Sequence, residues 1–190
     1  MSMGLRSVDQ PMSENFSISV VGRDEPGIVA AIAKVLYDVE CNLADASMSV
    51  LNDTFAMVLV VEAPKSLDEA RLKHELSLIT PRFDVLASVH AIERPRHKPA
   101  NGSERVLIHV YGSDRPGIVH GVTSLIAASG SNIVDMRTQQ SSGSRPLYSM
   151  ILEVELAAGT NQDMMRSRLD GLAREYQVEV GIRTYSAAEL

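Results

Sequence analysis

The sequence predicts an α+β fold made of two tandem units, each with an antiparallel sheet and helices on one face of that sheet. The main sign is an internal repeat: residues 22–29 return as residues 112–119, with six of the eight positions identical. Each copy follows an apolar run of strand type and precedes apolar residues at helical spacing. A repeat of this length indicates two copies of one structural unit within the 190 residues.

The first unit begins with a strand over residues 16–21, where apolar side chains alternate with others. After the repeated turn comes a helix with one apolar stripe, made of Ile28, Ile32, Val35, Leu36 and Val39. Residues 43–51 and 55–62 then predict a β-hairpin, because Asn52 and Asp53 form a short turn signal between them.

Residues 55–61 are apolar at every position, so this strand is expected inside the sheet with something covering each face. Ser66, with Glu69 three residues later, predicts the start of a second helix, which should stop before Pro81. Residues 83–89 alternate again as a fourth strand. The order β-α-β-β-α-β is that of the ferredoxin-like fold.

The second unit keeps this order. Its four strands are predicted over residues 106–111, 133–139, 147–155 and 177–184. Thr160 is expected to cap its second helix. The two units should cover residues 15–93 and 105–186, with residues 94–104 as a linker and residues 1–14 as a disordered leader.

Composition excludes several classes of function. The net charge of −6 and the pI near 5.4 argue against direct binding of nucleic acid, which needs a clustered basic surface. Cys41 is the only cysteine, so a reducing compartment is indicated, without disulfides. No apolar run approaches the ~20 residues of a membrane span. Because units of about 80 residues bury small cores, we expect each to pack against another surface and the chain to form a homodimer.

The sequence predicts neither a catalytic centre nor a metal site. The five histidines show no ligand spacing with one another or with carboxylates. Residues 22–27 have the glycine spacing of a phosphate loop, but Ile28 stands where that loop needs lysine and Asp24 would repel phosphate. Cys41 has no histidine near it in the sequence that could activate its thiol. We therefore expect a non-catalytic protein without a cofactor.

The repeated turn is a candidate site for a small zwitterion. A helix start leaves backbone N–H groups unpaired for a carboxylate, a glycine there lets a ligand come close, and an aspartate can accept from an ammonium. Polar residues also recur where the second strand of each unit begins, at the opposite end of the sheet, so they would join the site from a neighbouring unit. The candidate ligand-binding residues are Asp24, Glu25, Gly27, Ile28, Asn42, Asp45, Asp114, Arg115, Gly117, Ile118, Asn132 and Asp135. The alternative is that Asp24 and Asp114 only cap their helices.

The motif also carries a family resemblance. An apolar strand, Gly-x-Asp-x-Pro-Gly-Ile-Val, a helix, Asn with Leu or Ile, and a hairpin together resemble the ACT domain, a regulatory module that binds amino acids. Two such domains without an enzyme domain resemble the glycine cleavage system transcriptional repressor family. This resemblance implies a cytoplasmic regulator that senses an amino acid, glycine first of all, and acts on a transcription factor. It places ligand contacts on residues 24–28 and 114–118.

Two other functions stay open at this point. The chain is then either a dimerising ACT module whose pockets are vestigial, or a regulatory subunit of a metabolic enzyme on another chain. Binding of an amino acid would distinguish the sensor from the dimerising module. The identity of the protein partner would distinguish the sensor from the regulatory subunit.

Overall fold

The computed structural model describes residues 14–93, 104–141 and 147–184. The chain divides into two compact units, and the division falls between residues 97 and 98. The predicted leader and the predicted linker lie outside the described residues except for Glu14 and Glu104.

The first unit has the predicted βαββαβ order with one additional short helix. Its elements are β1 (Glu14–Arg23), α1 (Ile28–Asp38), β2 (Asn42–Leu51), β3 (Thr54–Ala63), α2 (Glu69–Ser77), α3 (Thr80–Phe83) and β4 (Val85–Ile92). The strands form one antiparallel sheet in the order β2-β3-β1-β4.

The second unit repeats this architecture. Its elements are β5 (Arg105–Ser113), α4 (Ile118–Ala128), β6 (Asn132–Gln140), β7 (Leu147–Glu155), α5 (Gln162–Tyr176) and β8 (Val178–Thr184). The antiparallel order is β6-β7-β5-β8. The predicted fold class, two tandem ferredoxin-like α+β units, is confirmed.

The core of each unit lies between one face of the sheet and the helices. In the first unit, alternate residues of the two inner strands are buried with the inner stripe of α1: Phe16, Ile18, Val20, Phe55, Leu59, Val61, Ile28, Ile32 and Leu36. The residues between them point away from the helices, and Val58 is 50% exposed there. The helices therefore cover one face of the sheet, as predicted.

The outer strands β2 and β6 carry the polar residues that recur at the start of the second strand. Every residue of β2 is exposed. The pairing register of β2 shifts between Leu43 and Asp45, and that of β6 shifts between Ile133 and Asp135. These shifts are β-bulges, which bend a strand and leave one residue unpaired.

Two predicted helix caps are wrong. The N-cap of α2 is Asp68 and not Ser66, and the Asp68 side chain accepts a backbone hydrogen bond at 2.7 Å. The N-cap of α5 is Asn161 and not Thr160, and Asn161 accepts a backbone hydrogen bond at 2.9 Å. The capping box also fails because the Glu69 carboxylate accepts from the backbone of β4 at 3.1 Å.

The second helix stops before Pro81, as predicted, but the residues that follow it differ from the prediction. α2 ends at Ser77, but the short helix α3 follows and holds Pro81 in its first turn, where the missing N–H of proline costs no helical hydrogen bond. Phe83 belongs to α3 and not to the fourth strand. The chain turns at Asp84, whose φ of +49° is left-handed, and β4 starts at Val85.

Candidate functional site

The repeated turn leads from the first strand of each unit into its first helix. Gly27 is the N-cap of α1 and Gly117 is the N-cap of α4, both at φ +99°. No side chain caps either helix. The alternative that Asp24 and Asp114 serve as helix caps is therefore wrong, and no side chain of the described residues caps the first-turn N–H groups.

The first glycine of the motif serves the packing of the sheet. A Cβ on Gly22 would lie 2.5 Å from the carbonyl oxygen of Asp84. A Cβ on Gly112 would lie 2.9 Å from a methyl group of Val178. In both units only glycine lets the last strand approach this closely.

The second glycine serves the backbone of the turn. Its left-handed φ is one that L side chains rarely adopt. The missing Cβ of Gly27 faces the Phe83 ring at 3.8 Å, and that of Gly117 faces the Tyr176 ring at 3.2 Å. The Tyr176 ring crowds the Cβ side of Gly117, whereas the Phe83 ring lies at ordinary van der Waals distance from that of Gly27. That these glycines let a ligand come close stays a prediction.

The aspartate of the first turn is the one charged group repeated there, and its side chain, unlike its backbone, holds no contact within the described part of the fold. The Asp24 side chain is exposed and makes no hydrogen bond within the described residues. Its backbone N–H donates to the carbonyl oxygen of Asp53 at 2.9 Å, which fixes the turn against the β2–β3 hairpin. The Ile28 side chain is 1% exposed, so only its N–H can serve a ligand. Glu25 beside them is half-buried.

The second turn has different neighbours. Asp114 Oδ2 accepts a hydrogen bond from Gln140 Nε2 at 2.7 Å, and Arg115 donates to Gln177 Oε1 at 2.5 Å. Burial raises the pKa of Tyr148, and the nearby Asp114 carboxylate adds to that rise, against a hydrogen bond that lowers it. As in the first unit, the isoleucine of the motif, Ile118, is buried and offers only its backbone.

The polar residues of the outer strands lie far from the turn of their own unit. Asn42 pairs with Glu62, which pairs with Asn15, and Asn15 lies eight residues before Arg23 at the turn. At about 3.3 Å per residue this separation is roughly 26 Å. Asp45 lies near the same end of the strand.

The second unit repeats this separation. Asn132 pairs with Glu155 at the end of the sheet away from the turn, and Asp135 pairs with Glu153. Asp135 also accepts from Arg137 at 3.2 Å. Within each unit the predicted turn residues lie together, residues 24–28 in the first unit and residues 114–118 in the second. Asn42 and Asn132 lie at the other end of the sheet from the turn of their own unit.

Sequence reasoning missed the residues that surround each turn. They are Phe83, Gln140, Tyr148, Tyr176 and Gln177. All of them stand at the ends of strands or helices, and the sheet topology alone gathers these ends around the turn. The one usable signal was the position of Tyr148, which matches Phe55 in the repeat.

A groove of about 620 Å³ lies beside the first turn, between α1 and the pair α2 and α3. Its lining is mainly apolar and includes Gly27, Ala31, Val35, Ile79 and Phe83. Charged residues of both signs complete it: Lys34, Asp38, Glu75 and Arg82.

Neither a metal-binding cluster nor a helix suited to crossing a membrane is present in the part of the chain that the structure describes. No group of three histidine, cysteine, aspartate or glutamate side chains is arranged to hold a metal ion among residues 14–93, 104–141 and 147–184. Within the same ranges, none of the helices has the length and apolarity that crossing a membrane requires.

The fold and the turn together define a protein of two tandem ferredoxin-like units. In each unit the repeated motif ends in a glycine that caps the first helix. A sequence model of the ACT domain matches residues 14–90 and again residues 104–182. The chain therefore belongs to the ACT domain family, as two consecutive copies. ACT domains are regulatory modules.

Single-domain relatives match part of the chain. A UPF0237 protein of Methanopyrus kandleri is 34% identical over 84 residues, covering 43% of this chain and 93% of the relative. A UPF0237 protein of Pyrobaculum aerophilum is 36% identical over 77 residues, covering 40% of this chain and 86% of the relative.

Solved structures match both units at once. A protein of unknown function from Galdieria sulphuraria has a TM-score of 0.79 at 23% identity, covering 92% of this chain and 100% of that one. A protein provisionally assigned as a glycine cleavage system transcriptional repressor has a TM-score of 0.71 at 17% identity, covering 92% and 99%. At these identities the likeness shows the shared tandem fold.

Proposed function

We propose that this chain is a non-catalytic regulatory protein that senses an amino acid at the repeated turn. The observation that carries the proposal is the aspartate of the motif. Gly22, Gly27 and Ile28 each have a role in the fold, whereas Asp24 caps no helix and has no hydrogen-bond partner for its side chain within the described residues. A repeated carboxylate beside uncapped helix N–H groups suits a ligand that carries an ammonium and a carboxylate on neighbouring atoms.

In this proposal the ligand carboxylate meets the N–H groups of Gly27 and Ile28, or of Gly117 and Ile118, and its ammonium meets the motif aspartate. Glu25 and Arg115 give the two sites different charge. The outer-strand residues join from a neighbouring copy of the chain, since about 26 Å separates the asparagines from the turn within a unit. These residues are Asn42, Asp45, Asn132 and Asp135.

The proposed output is transcriptional control of glycine metabolism through a protein partner in the cytoplasm. Its support is the tandem fold shared with the provisionally assigned repressor and the net charge of −6, which disfavours direct contact with DNA. Affinity capture followed by mass spectrometry tests this step. Recovery of a transcription factor supports it, and recovery of a metabolic enzyme alone favours a regulatory subunit.

We further propose a homodimer. The sheet face without helices in the first unit exposes large apolar side chains, among them Val21, Val58 and Leu86. Such a patch suits a surface that another copy covers. Light scattering at micromolar concentration tests this, and a strict monomer would contradict it.

A thermal melt of the full chain against the standard amino acids, glycine included, tests the sensing function. A ligand at 100 times its Kd adds about 2.7 kcal/mol of stability. In a unit of this size each kcal/mol raises the Tm by roughly 4–8 °C. The response should weaken in Asp24→Asn or Asp114→Asn and persist in Asp170→Asn, an exposed control on α5. A flat panel would favour the dimerising module with vestigial pockets.

A further inference from the structure

The second turn is tied to its surroundings by two side-chain hydrogen bonds. Gln140, the last residue of β6, donates from Nε2 to Asp114 Oδ2 at 2.7 Å. Arg115 donates to Gln177 Oε1 at 2.5 Å, where Gln177 ends α5. The two charged residues of this turn, Asp114 and Arg115, are therefore both hydrogen-bonded within their own unit.

The first turn has no counterpart to the Gln140 bond. Gln140 pairs with Tyr148 and Tyr148 pairs with Gly112, just as Val50 pairs with Phe55 and Phe55 pairs with Gly22. The position of Gln140 is thus held by Val50, whose side chain has no hydrogen-bond donor. The Asp24 carboxylate stays without a side-chain partner in the part of the chain that the structure describes.

The Arg115 bond is also impossible in the first unit. Glu25 replaces Arg115 in the motif, and Asp84 replaces Gln177 as the left-handed residue that ends the last helix, at φ +49° against +54°. Two carboxylates cannot form a hydrogen bond to each other when both are ionised, and they repel. The first turn is therefore free of both contacts.

The rings beside the two turns add a third difference. The Tyr176 ring approaches the Cβ positions of both Gly117 and Gly121, at 3.2 and 3.1 Å. In the first unit the Phe83 ring lies 3.8 Å from the Cβ position of Gly27, and a groove of about 620 Å³ remains beside it. Space for a ligand side chain is thus present next to the first turn.

We propose that the two turns are not equivalent, and that Gln140 occupies the second site from within. Its amide N–H takes the place on Asp114 that a ligand ammonium takes on Asp24. A ligand at the second turn must displace this hydrogen bond, whereas a ligand at the first turn meets an open carboxylate. The first unit is the primary sensing unit, and Gln140 is a specificity-determining residue. This inference rests on the proposed amino-acid site.

Calorimetric titration of the full chain with each standard amino acid in turn tests the inference. The parent should show one tighter and one weaker site, and Asp24→Asn should remove the tighter one. Gln140→Leu should raise the affinity of the weaker site about tenfold, which corresponds to about 1.4 kcal/mol, near the lower range for a hydrogen bond to a charged group. Gln139→Leu is the matched control, because its side chain lies on the other face of the strand.

Two results of the titration would overturn the inference while leaving the sensing function intact. One is loss of the tighter site in Asp114→Asn with its retention in Asp24→Asn. The other is a weaker site whose affinity in Gln140→Leu equals that of the parent.

A measurement without ligand separates failure of the inference from failure of the proposed function. The Gln140 side-chain amide resonances in a ¹H–¹⁵N spectrum should shift in Asp114→Asn, since the charged acceptor is lost, and those of Gln139 should not. If no amino acid binds to any variant, the proposed sensing function is refuted, and the shift of the Gln140 resonances still tests the hydrogen bond between Gln140 and Asp114. An unmoved Gln140 amide refutes the contact in either case.

Discussion

Replacing Gly117 by alanine should destabilise the second unit while leaving its fold in place. A side chain at φ +99° strains the backbone, at a cost on the order of 1–3 kcal/mol. The new Cβ would also lie 3.2 Å from Tyr176 Cε1 and 3.3 Å from the hydroxyl oxygen, closer than ordinary van der Waals contact. Since each kcal/mol shifts the Tm of a unit this size by roughly 4–8 °C, we expect a fall of roughly 4–24 °C.

Differential scanning calorimetry of the full chain measures this fall, and circular dichroism below the transition checks that the fold persists. Gly159→Ala is the matched control, because Gly159 has φ +84° and nothing within 4 Å of its Cβ position. Gly159→Ala should show the backbone strain alone and lose less stability than Gly117→Ala. The reasoning is refuted if Gly117→Ala melts with the parent, or loses no more than the control.

Three further outcomes follow from local features of the fold. Gly171→Ala should stabilise α5 by about 1 kcal/mol, because Gly171 lies inside the helix with open space around it. Gly121→Ala should bring no such gain, because its Cβ would lie 3.1 Å from two side chains of α5; equal rises in Tm would contradict this. Asp68→Ala should lower the free energy of unfolding, measured in urea, by about 1 kcal/mol, and Ser66→Ala should lower it much less. A larger loss in Ser66→Ala than in Asp68→Ala would show that Ser66 is the cap. Burial raises the pKa of the Cys41 thiol from 9.0 to about 11, so alkylation of the folded protein should be slow at neutral pH, and rapid labelling there would argue against this. The free energy of unfolding should also fall as the pH rises from about 9 to 11, because the folded chain holds that proton more tightly than the unfolded chain.

The repeat made the fold predictable because two copies with one period had to agree on every element. Hydrophobic alternation located β1 and β3, and the turn at Asn52 and Asp53 has the left-handed φ of +45° and +63° that a tight hairpin needs. Exact helix starts were less predictable. Ser66 and Asp68 are both good capping residues, and the path of the backbone decides which one is used.

The surroundings of the turn could not be read from the sequence. The aspartate of the motif stands three residues before the glycine that caps the helix, so its role depends on how the turn folds back. The contact between Gln140 and Asp114 joins residues 26 positions apart, and that between Arg115 and Gln177 joins residues 62 apart. Such pairs arise from strand order, which brings the end of β6 and the end of α5 to the same end of the sheet as the turn.

The bulges in β2 and β6 bear on the solubility of the chain. An outer strand presents a row of free N–H and C=O groups, which is a template for uncontrolled stacking of sheets and for fibril growth. β2 and β6, one of the two edge strands of each sheet, break their regular pairing beside an exposed aspartate, Asp45 in one unit and Asp135 in the other. An incoming strand would have to follow the bend and accept a charge at its edge. Each unit therefore opposes aggregation at the same point of its sheet, whatever its turn binds.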